Sequence, residues 1–477
     1  MLATYHQKAI ICVFTFQSLV LLTTSVSLSL QATFEQVRHC PSYGPTARCH
    51  CEQTVIECHT RGLTTVPTFT SKPWMFRLLD LENNSISTIP ARAFININVT
   101  EIDLRDNQIS SIDPEAFTSL QSQLTSLDLR GNMLTVLPAV FSKMSSLNVL
   151  DVSYNPIPAN KFTDTVMREL GDFIHEFHFG DPSLDEWPTT ISHLQALQIL
   201  KFYEGRMSRL PITAFSNFKW QLRKLWIQNT HLIAVPIALQ DLKSLYELHF
   251  DNNVLVEDAG ILIPAFAGLT STLQTLSLEN NTLTTFPLVL STLTSLANLS
   301  LSNNDLQFVS DQSIGNIGSN LTTLNLQNCN LDRIPGALSN LPGLINLDFS
   351  YNRITSIEKT DLQNMHNLQT LNVSYNPLQY VSKNTFTDLN YLQDLMLRDT
   401  SLEFVPEALH NVPQLQLLDL TNEGDPKIEC NCDLSWLYCY MQGIGYSLRI
   451  RGACFTIEMG IEEYAENRIP VVCPIDC

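Results

Sequence analysis

The side chains that could perform or direct chemistry fall into three sets. The segment His175 Glu176 Phe177 His178 places two histidines and a glutamate close together. A zinc-peptidase helix needs its histidines four apart, so that both imidazoles share a face. Here they are three apart in a stretch that alternates polar and apolar, which predicts a strand with Glu176 and His178 outward and Phe177 inward. His249 lies three repeats further on, roughly 14 Å away at strand spacing, too far to share one ion with His178. Neither a Gly-x-Ser-x-Gly elbow nor a phosphate-binding loop occurs. No catalytic residue, metal ligand or cofactor is expected.

The second set is the twelve cysteines. Cys12 falls in an apolar leader and Cys329 stands alone. The other ten gather at the two ends: Cys40, Cys49, Cys51 and Cys58, then Cys430, Cys432, Cys439, Cys454, Cys473 and Cys477. Both groups are even and contain no Cys-x-x-Cys pair, which favours disulfides over zinc in an exported chain. The third set does the chemistry of recognition. Lys201, Tyr203, Lys224, Trp226, Glu247, His249 and Asp251, together with Glu176 and His178, mix aromatic and charged groups as interface anchors do.

What positions them is a repeat. Leu79 Asp80 Leu81 Glu82 Asn83 Asn84 Ser85 Ile86 Ser87 Thr88 Ile89 Pro90 sets the pattern, the first of fifteen repeats that run from Asn84 to Glu423 with a mean period of about 24. Leu79 and Leu81 point to one side of a short strand and Asp80 to the other. One such strand cannot bury its face, but a parallel stack joins the leucines into one core. The inward Asn84 carries both a donor and an acceptor for the turn that follows, so its equivalents predict a ladder from coil to coil. Pro182, Gly205 and Thr230 replace that asparagine in three successive repeats, which predicts irregular turns there. The outward column between the leucines reads Asp80, Asp103, Asp128, Asp151, His178, Lys201, Trp226, His249, Ser277, Ser300, Asn325, Asp348, Asn372, Met396 and Asp419. Its acidic start needs no ligand, since Asp is common in this slot. Its aromatic and basic middle coincides with the lost asparagines, and that coincidence marks the expected site.

Short and long repeats alternate. The short kind has Pro and an apolar residue three further on, as in Pro236 and Leu239, Pro335 and Leu338, and Pro406 and Leu409; the long kind places an apolar residue one later, often Phe94, Phe117, Phe215 or Phe386. Residues 159–175 carry Val166, Leu170 and Phe173 near helical spacing and predict a helix on the convex side. A second insertion runs from Glu257 to Thr272.

Residues 1–32 read as a secretory leader, with Lys8 before the apolar run Ala9 to Leu22 and small residues after it. No second long apolar run exists, so no transmembrane segment is expected; the chain reads as secreted and extracellular, or as a truncated ectodomain. The net charge of −19 becomes −20 once Lys8 leaves with the leader, which disfavours nucleic acid and anionic membrane. Six glycosylation sequons stand at Asn83, Asn98, Asn280, Asn298, Asn320 and Asn372. Occupied, Asn298 and Asn372 would obstruct the later strands and direct a ligand to repeats four to eight.

Cys40 to Cys58 followed by Gly62 Leu63 Thr64 Thr65 Val66 Pro67, and the segment Cys430 Asn431 Cys432 Asp433 Leu434 Ser435 Trp436 Leu437, resemble the N- and C-terminal caps of extracellular leucine-rich-repeat proteins. Similar assemblies occur in Slit-type proteins, Toll-type ectodomains and small leucine-rich proteoglycans. The resemblance implies an α/β solenoid, a leucine-rich-repeat horseshoe with a parallel concave sheet. It divides the chain into a leader (1–32), an N-terminal cap (33–75), repeats (76–426) and a C-terminal cap (427–477). It also implies pairing Cys430 with Cys454 and Cys432 with Cys473, and leaves Cys439 and Cys477 to bond each other or another chain. The expected function is recognition of an extracellular protein or receptor through the concave face. The alternative is a structural matrix component, or a non-catalytic stabilising subunit, as a disulfide-linked or non-covalent oligomer.

Overall fold

The computed structural model describes residues 42–43, 49–69, 75–255, 260–306, 309, 314, 317, 320–444, 448–475 and 477. The leader, Cys40 and part of the insertion after Glu257 lie outside them. The chain divides into a unit ending at Phe179 and a unit beginning at Gly180.

In the first unit, β1 (His50–Glu52) runs antiparallel to β2 (Val55–Glu57). A parallel ladder then follows through β3 (Phe76–Asp80), β4 (Val99–Asp103), β5 (Ser126–Asp128), β6 (Val149–Asp151) and β7 (Glu176–Phe179). The second unit continues the pattern with β8 (Ile199–Gly205), β9 (Lys224–Thr230), β10 (Glu247–His249), β11 (Thr275–Ser277), β12 (Asn298–Ser300), β13 (Thr323–Asn325), β14 (Asn346–Asp348), β15 (Thr370–Asn372), β16 (Asp394–Met396), β17 (Leu417–Asp419) and β18 (Arg449–Arg451). From β2 onward each strand pairs in parallel with the next within its unit, and in the second unit the middle leucines fall opposite one another: Leu200, Leu225, Leu248, Leu276, Leu299 and onward. These leucines are buried, each worth roughly 1.5–3 kcal/mol relative to exposure, so the sequence register and the structural register coincide.

The asparagine ladder forms as its chemistry requires. The Asn84 amide donates to the carbonyls of Cys58 (3.0 Å) and Leu81 (2.9 Å) and its oxygen accepts the Leu63 N–H (2.9 Å). Asn304 repeats the set with Leu278, Leu301 and Leu283. The residue just before each ladder position is left-handed, as at Asn83 (φ 53°), Asn252 (φ 55°) and Asn303 (φ 57°).

The expectation of irregular turns holds at Pro182, where the preceding Asp181 is not left-handed and Gly180 has φ 121°, and is corrected at Gly205 and Thr230. Glu204 and Asn229 keep the same left-handed φ, at 60° and 57°, and pairing of β8 with β9 runs on through Tyr203 with Gln228 to Gly205 with Thr230. The two strands leading to Gly205 and Thr230 are lengthened to seven residues each, and at Thr230 the Asn253 amide accepts the Thr230 N–H (3.2 Å) and donates to the Ile227 carbonyl (3.1 Å), while the Thr230 hydroxyl accepts the Leu232 N–H (3.3 Å). Gly205 is there for packing: a Cβ on it would lie 2.7 Å from the Phe202 ring, which is buried edge-on to Trp187 at 5.7 Å.

On the other side of each coil, Phe94, Phe117, Phe215 and Phe386 are buried, as are Leu239, Leu338 and Leu409 on short 3-10 turns that begin after Pro236, Pro335 and Pro406. The predicted helix is shorter than expected. Helix α1 (Asp164–Leu170) buries Val166, Met167 and Leu170, but Phe173 lies beyond its end and is 39% exposed. In the second insertion, α2 (Ile263–Phe266) is a single turn.

Both ends are disulfide-bonded. Cys49 pairs with Cys58, and Cys51 is also in a disulfide. Cys430 pairs with Cys454 and Cys432 with Cys473, as the resemblance implies, and Cys439 pairs with Cys477. Helix α3 (Ser435–Gly443) packs Trp436 against His410 at 4.6 Å, while β18 pairs with β17 and covers the last strand's edge. Among the described residues, no helix is long and apolar enough to cross a membrane.

Candidate protein-binding face

The outward column divides by what its side chains can accept. Asp80, Asp103, Asp128, Asp151, Asn325, Asp348, Asn372 and Asp419 each accept the N–H two residues on, at 2.7–3.1 Å, and so close the strand exit. The acidic start is therefore a turn device repeated in register. Its electrostatic cost is visible: burial raises the Asp128 carboxyl to about 7, helped by the adjacent Asp151, and burial raises Asp103 to about 6. Lys201 and Trp226 have no acceptor for such a turn. Their places in the column are free of that duty.

Two of the nine sequence-predicted residues, Glu176 and His178, close the first unit. His178 Nδ1 lies 2.8 Å from Asp151 Oδ2 and Nε2 lies 2.7 Å from Glu176 Oε1, with its side chain only 12% exposed. Burial alone would raise Asp151, but His178 and Ser153 hold it below the usual carboxylate range.

The other seven belong to the second unit. Trp226 and His249 stack at 4.8 Å and 5° between planes, and the Lys201 ammonium sits 5.2 Å from the Trp226 ring centroid. Glu247 binds the Lys224 ammonium (2.7 Å) and His249 Nε2 (3.1 Å), while His249 Nδ1 faces Asp251 at 3.8 Å. Burial alone would lower His249, but the carboxylates of Asp251 and Glu247 prevail and its pKa is raised. Burial alone would raise Glu247 and Asp251; Lys224 and His249 lower the first, and His249, Ser277 and Gln228 the second. Tyr203 is half-buried and pairs in register with Gln228. Gly180 is required beneath it, since a Cβ there would meet the Tyr203 carbonyl at 1.7 Å and its φ is 121°.

Sequence reasoning missed the residues that hold Asp251. Gln228 Nε2 (2.7 Å), Ser277 Oγ (2.6 Å) and the Glu279 N–H (3.0 Å) all donate to its carboxylate. Ser277 and Ser300 in the outward column were the available signal: being small, they open a depression of about 460 Å³ beside His249 and Asp251, walled by Thr275, Asn298 and Asn325.

Of the sequons, Asn83, Asn280, Asn298 and Asn320 are exposed. Asn98 accepts a hydrogen bond from Gln123. Asn372 is half-buried, donating to Asp348 Oδ2 (2.9 Å) and accepting from Ser374 (3.1 Å). Among the described residues, His59, Asp80 and Glu82 bring three ligand-type atoms within 4.8 Å of one another. Glu82 already carries the Arg105 guanidinium at 2.6 Å, which supplies the positive charge there.

The sequence matches the leucine-rich-repeat family model over residues 97–157, 319–378 and 367–424. Among solved structures, a leucine-rich-repeat protein of Leptospira interrogans is similar at 23% identity and TM-score 0.59, over 79% of this chain and 89% of that one. Toll, in the Drosophila Toll–Spatzle complex, is similar at 21% identity and TM-score 0.58, over 80% of this chain and 50% of that one, so the match spans half of the Toll chain. At these identities the likeness is one of fold.

Proposed function

Because this chain is a leucine-rich-repeat protein whose coils end in disulfide-bonded segments, we propose that it is an exported, non-catalytic module that binds an extracellular protein through the outward face of its sheet, at the strands carrying Lys201, Trp226 and His249. One observation carries the reading: the Trp226 and His249 rings are stacked on each other with Lys201 beside them, on strands freed from the aspartate turn device. Such a patch costs little side-chain entropy on binding, because its rings are already ordered by mutual contact and by Glu247 and Asp251. Tryptophan is among the residues enriched at binding hot spots. The Toll chain in complex with Spatzle gives a precedent for a protein ligand on this fold.

The structural alternative drew its support from cysteines left for another chain. Cys439 and Cys477 are bonded to each other, and Cys329 is buried, which removes that support. A capture experiment from extracellular fluid, run with the exported protein and a Trp226→Ala, Tyr203→Ala variant of unchanged circular dichroism, tests the proposal. A partner retained equally by both proteins would move the binding surface elsewhere.

A further inference from the structure

A second surface lies at the strand exits of the last repeats. Tyr351 and Tyr375 occupy the position just before the ladder residues Asn352 and Asn376, and both have φ 57°. Other coils hold this left-handed position with asparagine, as at Asn83, Asn252 and Asn303, or with Asp106, Gly131, Tyr154, Glu204 and Asp399; asparagine tolerates it and a bulky aromatic does so at a cost. The core does not require an aromatic pair on successive coils: Tyr351 is 48% exposed and the two rings stack against each other at 4.2 Å and 8°.

The ledge leads into an acidic hollow. Tyr375 donates its hydroxyl to Glu423 Oε1 (2.7 Å), and the Glu423 N–H donates to Asp399 Oδ1 (2.8 Å). Asp399 lines a cavity of about 600 Å³ with Glu403, Asp425, Glu429 and Phe455, whose ring is 63% exposed. Lys427 is the cavity's one basic residue, and its ammonium is committed to the Thr400 carbonyl (2.8 Å). Asp399 Oδ2 is a buried acceptor with no donor among the described residues. Arg398 is already placed, 6.0 Å from the Tyr375 centroid and 3.9 Å from Glu423.

We propose that this surface docks a basic segment of a protein partner, with one arginine or lysine lying on the Tyr351–Tyr375 ledge and a neighbouring one entering the acidic hollow. The faces of stacked tyrosines attract a cation. Four carboxylates against one committed lysine set the sign of the partner's charge. The site is separate from the Trp226 patch and does not rest on it.

The test is fluorescence anisotropy of a labelled nona-arginine peptide titrated with the exported chain, compared with a Tyr351→Asn, Tyr375→Asn variant. That variant leaves the net charge unchanged and installs the residue that six other coils use. The expected result is peptide binding weakened at least fivefold at an equal or higher melting temperature. A structural ledge would give a lower melting temperature with binding unchanged, and that result overturns the proposal, as does a wild-type chain that fails to bind the peptide. Should the tyrosine variant fold poorly, Glu403→Gln with Asp425→Asn carries the same test from the cavity side. A fivefold loss is again expected, and unchanged binding overturns it.

Discussion

Cys329 stands where the ladder needs an asparagine, and Cys329→Asn is predicted to stabilise the protein. In the next repeat Asn352 donates to the carbonyls of Leu326 and Phe349, both at 2.8 Å, and accepts from the Cys329 and Leu331 N–H groups at 2.9 and 3.0 Å. Cys329 offers one weak thiol donor, 3.2 Å from Leu301 O and 3.5 Å from Gln327 O. An amide adds a second donor and a strong acceptor at a fully buried site. At a net of about 0.5–1.5 kcal/mol for each hydrogen bond, less the lost thiol contacts and the ordering of a longer side chain, the gain is about 1–2 kcal/mol. Urea unfolding followed by circular dichroism measures it, with Asn352→Ala as the opposite perturbation, expected to cost about 3 kcal/mol or more through orphaned buried groups. Unchanged or reduced stability of Cys329→Asn would refute the reasoning, because apolar packing of the thiol would then outweigh polar satisfaction.

Three further outcomes follow from the geometry. Asp128, raised to about 7, destabilises the fold above its ordinary carboxylate pKa and most fully above pH 7; Asp128→Asn keeps an acceptor for the Arg130 N–H and should be more stable than wild type by about 2 kcal/mol at pH 8, with the two converging near pH 4 in pH-dependent unfolding. His249 has the opposite sign: its raised pKa gives stability that is complete below about pH 6.5 and lost as pH climbs through the folded value, so His249→Gln should flatten that part of the profile while leaving the alkaline end unchanged. Gly180→Ala forces a Cβ into the Tyr203 carbonyl at a left-handed φ and should cost roughly 3 kcal/mol or more, measured as a loss of folded yield and of urea midpoint.

The repeat was legible because each slot does one physical job. Leu79 and Leu81 must be buried, Asn84 must serve a turn and Asp80 must point out, so register and ladder could be read from spacing, while the cap pairings came from the resemblance. Turn geometry at Gly205 and Thr230 was misread because a missing side-chain amide can be replaced by longer backbone pairing, and at Thr230 by the amide of the next repeat's Asn253 and the threonine's own hydroxyl. Phe173 shows the same limit: periodicity suggested a helix position, while α1 ends at Leu170 and leaves Phe173 39% exposed. At the candidate face, the residue types of Lys201, Trp226 and His249 were visible in the outward column. Their mutual satisfaction was not: whether an outward tryptophan is bare or stacked depends on the neighbouring strand, and the hydrogen bonds from Gln228 and Ser277 to Asp251 join repeats 23 and 26 residues apart.

The most direct measurement of the central claim is a binding titration of the captured extracellular partner against wild type and the single Trp226→Ala variant, by surface plasmon resonance at physiological salt. A hot-spot tryptophan costs about 2 kcal/mol or more when truncated, so the account predicts affinity at least tenfold weaker, chiefly through faster dissociation. An affinity within twofold of wild type, for a variant with the same unfolding midpoint, would contradict it.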